Sequence, residues 1–383
     1  MMVCIKKISI PIIFLFFSQT VLLASEKCNF KSGNYAKELS NPKNIKKIEI
    51  VTPNSAKYSK NIFKIITSSK LGNIPDNLKE RIKANLRIDY SFGYCDFKAN
   101  IRQHGDWLDH ITYNDKKEFI RSLDVKLKDG NILNNVRFKL LLPGTRNNYH
   151  EILGTILLKE LGFIAPDTFQ VQTKVNGVNS LMLFQENSNK ELLEKNKRRE
   201  GPIFEGDETY LWSYKNYPNF KLENISLSKM INEKWILKGK NSKKITLNAY
   251  SKLQKAYLEY SHNIKDKHRT IIIPDNDNGK KFDEYFLTLT AFNGTHALRP
   301  HNRKYYFNSF EDTFEPIYYD GMLQLDLPFS QSNEKIISSI KNLGSIKDYT
   351  PLVNNLNNLN DILIKFKNSI KDSENITNEK GKK

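Results

Sequence analysis

Cysteine is nearly missing from this sequence, with three in 383 residues, and one of them, Cys4, falls in the first apolar stretch. That leaves Cys28 and Cys95, too few to show a spacing pattern. In an exported chain they either join as one disulfide tying an N-terminal arm to the domain or stay as two unpaired thiols. No Cys-x-x-Cys and no His-Glu-x-x-His occurs, and the seven histidines are dispersed, which argues against a zinc site. Gly-x-Ser-x-Gly is also lacking, so a hydrolase of that kind has no support. The net charge is +18, yet there is no basic helix and no stripe of arginines interleaved with aromatics. No nucleic acid is therefore expected as a partner. Beyond the N-terminus no segment is apolar enough to span a bilayer, and no internal repeat is visible.

The N-terminus has the layout of an export signal: Lys6 and Lys7, an apolar run from Ile8 through Val21-Leu22-Leu23, then the small pair Ala24-Ser25. Pro11 and Ser18-Gln19-Thr20 interrupt the run, which falls short of the roughly 20 residues of a spanning helix. Cleavage near Ala24 is the expectation, an uncleaved anchor the alternative. In either case the chain is exported, to the periplasm, the cell envelope or the medium, and after signal cleavage it is not an integral membrane protein. Hydrophobic residues at 39% and aromatics at 11% suffice for a core and argue against disorder.

Residues 25–81 are polar, punctuated by Pro42, Pro53 and Pro75, and read as an arm with little core of its own. From about Ile82 strand-like pieces follow: Phe97 to Arg102, Leu123 to Leu127, an Asp129-Gly130 turn, and Val136 to Leu142. Ile152, Leu153, Ile156, Leu157 and Leu161 then recur at helical spacing, with Gly162 as the C-cap. Phe169, Val171, Thr173 and Val175 alternate with polar residues, turn at Asn176-Gly177 and return over Ser180 to Glu186. A charged helix is expected within 187–200, packing anchors at Trp212, Trp235 and Tyr257, and a buried helix over Lys281 to Phe292. Residues 329–383 read as a helical appendage with a frayed tail.

A second hairpin spans Asn302 to Asp320. With its turn centred on residue 311, Asn302 and Asp320 face each other at the open end. Paired oxygen side chains of this kind suit Mg²⁺ carrying a nucleotide's phosphates. Otherwise they merely mark the ends of an ordinary hairpin.

Two small sheets around an amphipathic helix, a hinge, then a late helix running into paired Asn and Asp give the order of a divergent protein-kinase-like, two-lobed α+β fold. Over residues 95–328 the chain resembles the spore-coat CotH-type kinase-like proteins. The carriers are Ile101-Arg-Gln-His-Gly-Asp-Trp107, Ser122 to Leu127, Arg137 to Pro143 and Asn147 to Pro166. Val175-Asn-Gly177, Phe184-Gln-Glu186, His301-Asn302 and Tyr318-Tyr-Asp-Gly321 complete the set. The implied organisation is a signal peptide at 1–24, an arm at 25–81, a kinase-like domain at 82–328 and the appendage at 329–383.

The resemblance implies binding of ATP with Mg or Mn and phosphorylation of a protein substrate outside the cytosol. Asp320 and Asn302 are then the metal ligands. Lys139, or its competitor Lys126, steadies the α- and β-phosphates, with Glu151 as the ion-pair partner of Lys139. Glu186 lies at the adenine hinge, and Arg102 with Gly105 forms the phosphate-covering turn. Kinase-type transfer uses an Asp a few residues before the metal-binding Asn. Residues 293–301 hold no carboxylate, and Thr295 or His296 stands in its place. A neutral His can act as general base. So the chain is either a CotH-like protein kinase with His296 as base or a non-catalytic, pseudokinase-like binding or structural protein of the envelope. A polyanion-binding module driven by the positive charge is a further alternative.

Overall fold

The computed structural model describes residues 27–31, 33–69, 72–209, 227–263, 279–326 and 359–371. The expected signal segment, Trp212 and most of the C-terminal appendage lie outside the described residues.

The first half of the chain builds a closed barrel. Its elements are β1 (Cys28–Phe30), β2 (Ile45–Val51), α1 (Ser55–Ser68), β3 (Ile82–Tyr90), β4 (Gly93–Gln103), β5 (Ile111–Tyr113), β6 (Phe119–Arg121), β7 (Leu123–Leu127), β8 (Arg137–Leu141), α2 (Tyr149–Glu160), β9 (Thr168–Val175) and β10 (Val178–Glu186). Seven strands follow one another in the order β4-β3-β2-β9-β10-β8-β7, and β7 pairs back onto β4. Every pairing in the ring is antiparallel except β2 with β9. Alternate residues turn inward, as a period of two requires: Leu86 and Ile88, Ala99 and Ile101, Leu123 and Val125, Phe138 and Leu140, Phe169 and Val171, Met182 and Phe184. Phe138, Phe184 and Phe169 stack at successive ring distances of 4.6 Å. Each contributes about 1.5–3 kcal/mol through burial.

This architecture overturns the expected two-lobed kinase-like fold, because a closed seven-strand barrel is not the small lobe of such a fold. The missing strand is β2. Residues 45–51, read as part of a coreless arm, bury Ile45, Ile48 and Ile50 completely and link β3 to β9. A register irregularity between Ile45 and Lys47 breaks their alternation and hides the strand in the sequence. β1 extends the sheet beyond β4, where Cys28 faces Cys95 and the two form a disulfide.

The second half adds α3 (Lys190–Lys195), β11 (Ile203–Gly206), β12 (Ser228–Met230), α4 (Lys240–Asn263), α5 (Gly279–Ala291), β13 (Lys304–Asn308), β14 (Thr313–Ile317) and α6 (Leu359–Ser369). β12, β11, β13 and β14 form an antiparallel sheet in that order. α4 and α5 cover one face of it through Leu253, Tyr257, Phe282, Tyr305 and Phe314. α2 is the joint between the halves. Its Ile152 packs on Leu141 and Leu183 of the barrel wall, while its Leu158 joins Tyr285, Leu289, Tyr318 and Leu323 from the other side.

Candidate functional site

A polar row crosses the outer wall of the barrel. Arg102 on β4 faces Asp124 on β7, Asp124 faces Lys139 on β8, Lys139 faces Gln185 on β10, and Gln185 faces Thr168 on β9. All five are one step out of phase with the inward-facing apolar set, so strand alternation alone aligns them. Gln185 donates from Nε2 to Glu151 Oε1 at 2.8 Å, joining the row to the first turn of α2.

Above the row, β8 ends in a tight turn over Pro143–Arg146, which turns Arg146 into the protein. Opposite lies the segment after β14. Asp320 and Met322 both have φ of +51°, and the segment is fastened from three sides. Tyr318 Oη donates to Glu151 Oε2 at 2.5 Å and accepts from the Gly321 backbone N–H at 3.1 Å. Asn147 Nδ2 donates to the carbonyls of Met322 and Leu323. Asn293 Nδ2 donates to the carbonyl of Gln324.

These ties bring Asp320, His296 and Asn302 together. His296 Nδ1 lies 2.8 Å from the Asp320 carbonyl oxygen and 3.7 Å from its carboxylate. Asn302 Nδ2 donates to the His296 carbonyl at 3.0 Å and lies 3.1 Å from His296 Nδ1. With Nδ1 protonated toward the Asp320 carbonyl, Nε2 is the basic nitrogen. Arg146 Nη1 stands 3.1 Å from Asp320 Oδ1, within ion-pair range but out of line for a hydrogen bond, so that oxygen has no hydrogen-bond partner. Lys139 Nζ and Lys304 Nζ lie 4.2 and 3.8 Å from the ring centre of Tyr319.

The electrostatics follow from this crowding. Burial alone would raise the Asp320 carboxyl, but the charge of Arg146 and the contact with His296 outweigh it and keep the group ionised. Burial pushes the Lys139 ammonium well below the ordinary lysine value, and Lys304 and Arg146 push the same way. Glu151 is pushed up to about 7 by burial, against the opposing pull of Arg146 and Tyr318. Three basic side chains, Lys139, Arg146 and Lys304, therefore gather around Asp320, with Glu205 on the far side pairing Lys304 at 3.1 Å. Such a convergence of N–H donors suits an anion with several acceptor oxygens.

Several expectations change in detail. β13 and β14 pair Lys304 with Ile317, one residue out of step with the expected register, and both strands stop short of Asn302 and Asp320. His296, not strand pairing, joins the two. No ion pair forms between Lys139 and Glu151 among the described residues, because Gln185 and Tyr318 hold the Glu151 carboxylate. Glu186 lies one step out of phase with Gln185, away from the polar row. There it accepts from the Asp167 backbone and pairs with Lys195, a strand-end carboxylate within a closed wall rather than at an open hinge. Gly105 has φ of +90°, and a Cβ there would meet the His110 imidazole at 1.9 Å. Its lack of a side chain admits His110, while Arg102 is held by Asp124 at 2.9 Å. Lys126 lies on the same outer face of β7 as Asp124, one register step further along the wall. Thr295 opens the short turn Thr295–Leu298 that carries His296.

The sequence assigned no role to Arg146, Lys304, Gln185, Tyr318 or Tyr319, although Gln185, Tyr318 and Tyr319 lie within segments that carry the resemblance. Among the described residues no group of three His, Cys, Asp or Glu side chains stands ready to hold a metal, and no helix is long and apolar enough to cross a membrane. No protein-family model matches the chain, and no curated protein matches it.

Proposed function

We propose that this chain is an exported, ATP-dependent phosphotransferase of the CotH-like kind, acting on protein hydroxyls with Mg or Mn. One observation carries the reading: Lys139, Arg146, His296, Asn302 and Asp320, from separate stretches of chain, meet at one place. The reading does not depend on a kinase fold, since a barrel wall presents the lysine here.

Asp320 Oδ1 has no hydrogen-bond partner, and no hydrogen bond among the described residues engages Asn302 Oδ1. Two such hard oxygens would hold Mg²⁺. Bound there, the metal would supply charge neutralisation for the phosphates. Lys139 and Arg146 would bind the phosphate chain. His296 Nε2 would take the proton of the acceptor hydroxyl as its oxygen bonds to the γ-phosphorus and the bond to the β-phosphate oxygen breaks, releasing ADP. The disulfide supports an oxidising compartment.

A second reading, a non-catalytic envelope-binding protein on the same scaffold, is favoured by the lack of a carboxylate in residues 293–301. A thermal-shift titration with ATP and Mg²⁺ or Mn²⁺, beside Asp320→Asn, separates the two when followed by transfer of labelled phosphate. The expected result is stabilisation by the ligand, lost in Asp320→Asn, with transfer lost in His296→Ala. Stabilisation without transfer gives the non-catalytic reading. Lack of stabilisation in the wild-type chain removes nucleotide binding from either reading.

A further inference from the structure

Beside the candidate site the barrel wall carries a second charged cluster that the proposed chemistry does not use. Asp124 on β7 is 3% exposed and is gripped by three guanidinium groups. Arg81, just before β3, donates from Nη2 at 2.8 Å, and Arg102 on β4 donates from Nε at 2.9 Å. Arg137 on β8 donates from Nε at 2.8 Å and from Nη2 at 2.6 Å. A single carboxylate cannot occupy the donors of three arginines, each of which carries five N–H groups. The three side chains keep 28%, 40% and 31% of their surface open to solvent, so none of them is closed off from it.

Charge points the same way. Three guanidiniums share one bonded carboxylate, with Glu205 acting on Arg137 through its charge from further off, so positive charge outweighs negative in the cluster. Burial lowers the Arg81 value, and the charges of Arg137 and Arg102 lower it further, despite Asp124. Lys126 sits on the same face and is lowered by burial and by the charges of Lys234, Arg81, Arg137 and Lys128. Arg137, by contrast, is raised by its bonds to Asp124 and by the charges of Asp124 and Glu205. Asp124 holds the guanidiniums in place, so little side-chain entropy remains to be lost on binding.

We propose that Arg81, Arg102 and Arg137 form a subsite for a phosphate-type dianion, distinct from the place where Asp320 and Asn302 meet. A phosphomonoester carries close to two negative charges at neutral pH and three acceptor oxygens. It matches both the surplus charge and the open forks. A lone carboxylate matches neither. Arg102 lies two strand spacings from Lys139, about 10 Å, and Arg137 is two residues from it on β8. On the proposed function, which this last step rests on, the dianion is a phosphate already present on the acceptor protein, and the enzyme adds phosphate near an existing one.

The test is isothermal titration of the intact chain, without ATP, with a phosphoserine peptide, its Ser→Glu counterpart and inorganic phosphate. Wild-type chain is expected to bind the phosphopeptide and, more weakly, inorganic phosphate. Arg81→Gln should weaken both by about tenfold or more. Arg102 and Arg137 still hold Asp124 in Arg81→Gln. Where that variant melts early, Arg81→Lys is read instead and should show the same loss on a smaller scale. Equal binding by the Glu peptide would make the patch a site for acidic polypeptide and overturn the proposal. So would binding unaffected in Arg81→Gln, or no binding at all. Because the readout uses no ATP, its failure is separate from failure of the nucleotide reading.

Discussion

Glu151 is the residue whose removal tests the structure most sharply, because a buried carboxyl with a value near 7 must leave a mark on stability. Its ordinary value is 4.5. Below that pH the folded and unfolded chains both carry the proton, and Glu151 contributes nothing to the pH dependence. As pH rises from 4.5 to about 7, the unfolded chain releases the proton while the folded chain keeps it, so folding stability falls. Above about 7 the loss is complete and constant. A difference of about 2.5 units at 1.36 kcal/mol each amounts to about 3 kcal/mol. His110, lowered to about 3 by burial, and His301, lowered to about 4 by burial, act in the opposite sense and lose stability as pH falls below their ordinary 6.5. Both are common to the wild-type chain and Glu151→Gln, so the difference between the two proteins isolates Glu151. Urea titrations across pH 4 to 8 should show Glu151→Gln gaining about 3 kcal/mol on the wild type over that range. Parallel curves, or a wild type that gains on the variant, would refute the burial and bonding assigned to this carboxyl.

Two further outcomes follow from the same geometry. Lys139→Met removes a buried amine whose charged form burial disfavours, so stability should hold or rise by about 1 kcal/mol in urea titrations. On the proposed function, the thermal shift expected with Mg–ATP should meanwhile fall as for at least tenfold weaker binding; Lys126→Met, further along the wall, should keep it. The Cys28–Cys95 disulfide closes residues separated by 67 positions, and the loop-entropy relation gives it up to about 4 kcal/mol. Cys28→Ser with Cys95→Ser should melt earlier than the oxidised wild type and coincide with the wild type treated with reductant. Equal stability of the oxidised wild type and the double variant would refute that role.

Elements whose signal lies within a few neighbouring residues were legible. The hairpin of β9 and β10 with its Asn176-Gly177 turn, strand β7 at its observed bounds, and helices α2 and α5 all stand where period and turn chemistry put them. Asn302 and Asp320 were paired through an expected strand register that the hairpin does not adopt, and Lys139 and His296 were named from the family resemblance; the fold brings the four near one another by other contacts. The barrel was not legible. Its closure depends on β2 pairing with β9 and β7 pairing with β4, and neither contact has a local trace. Arg146 was missed because a buried arginine in a Pro-Gly-Thr-Arg turn reads as a solvated loop residue until its partner, 174 positions later, is known.

By itself the sequence determined the local elements, through hydrophobic period and turn chemistry, and the types of side chain available for chemistry near Asp320. Tertiary structure alone decided the rest: that the arm is a barrel strand, that the two cysteines meet, and that Glu151 answers to Gln185 and Tyr318 rather than to Lys139. The physical reason is common to all three. Backbone preference acts over neighbouring residues, whereas ring closure, charge pairing and burial depend on which distant segments the folded chain brings to one place.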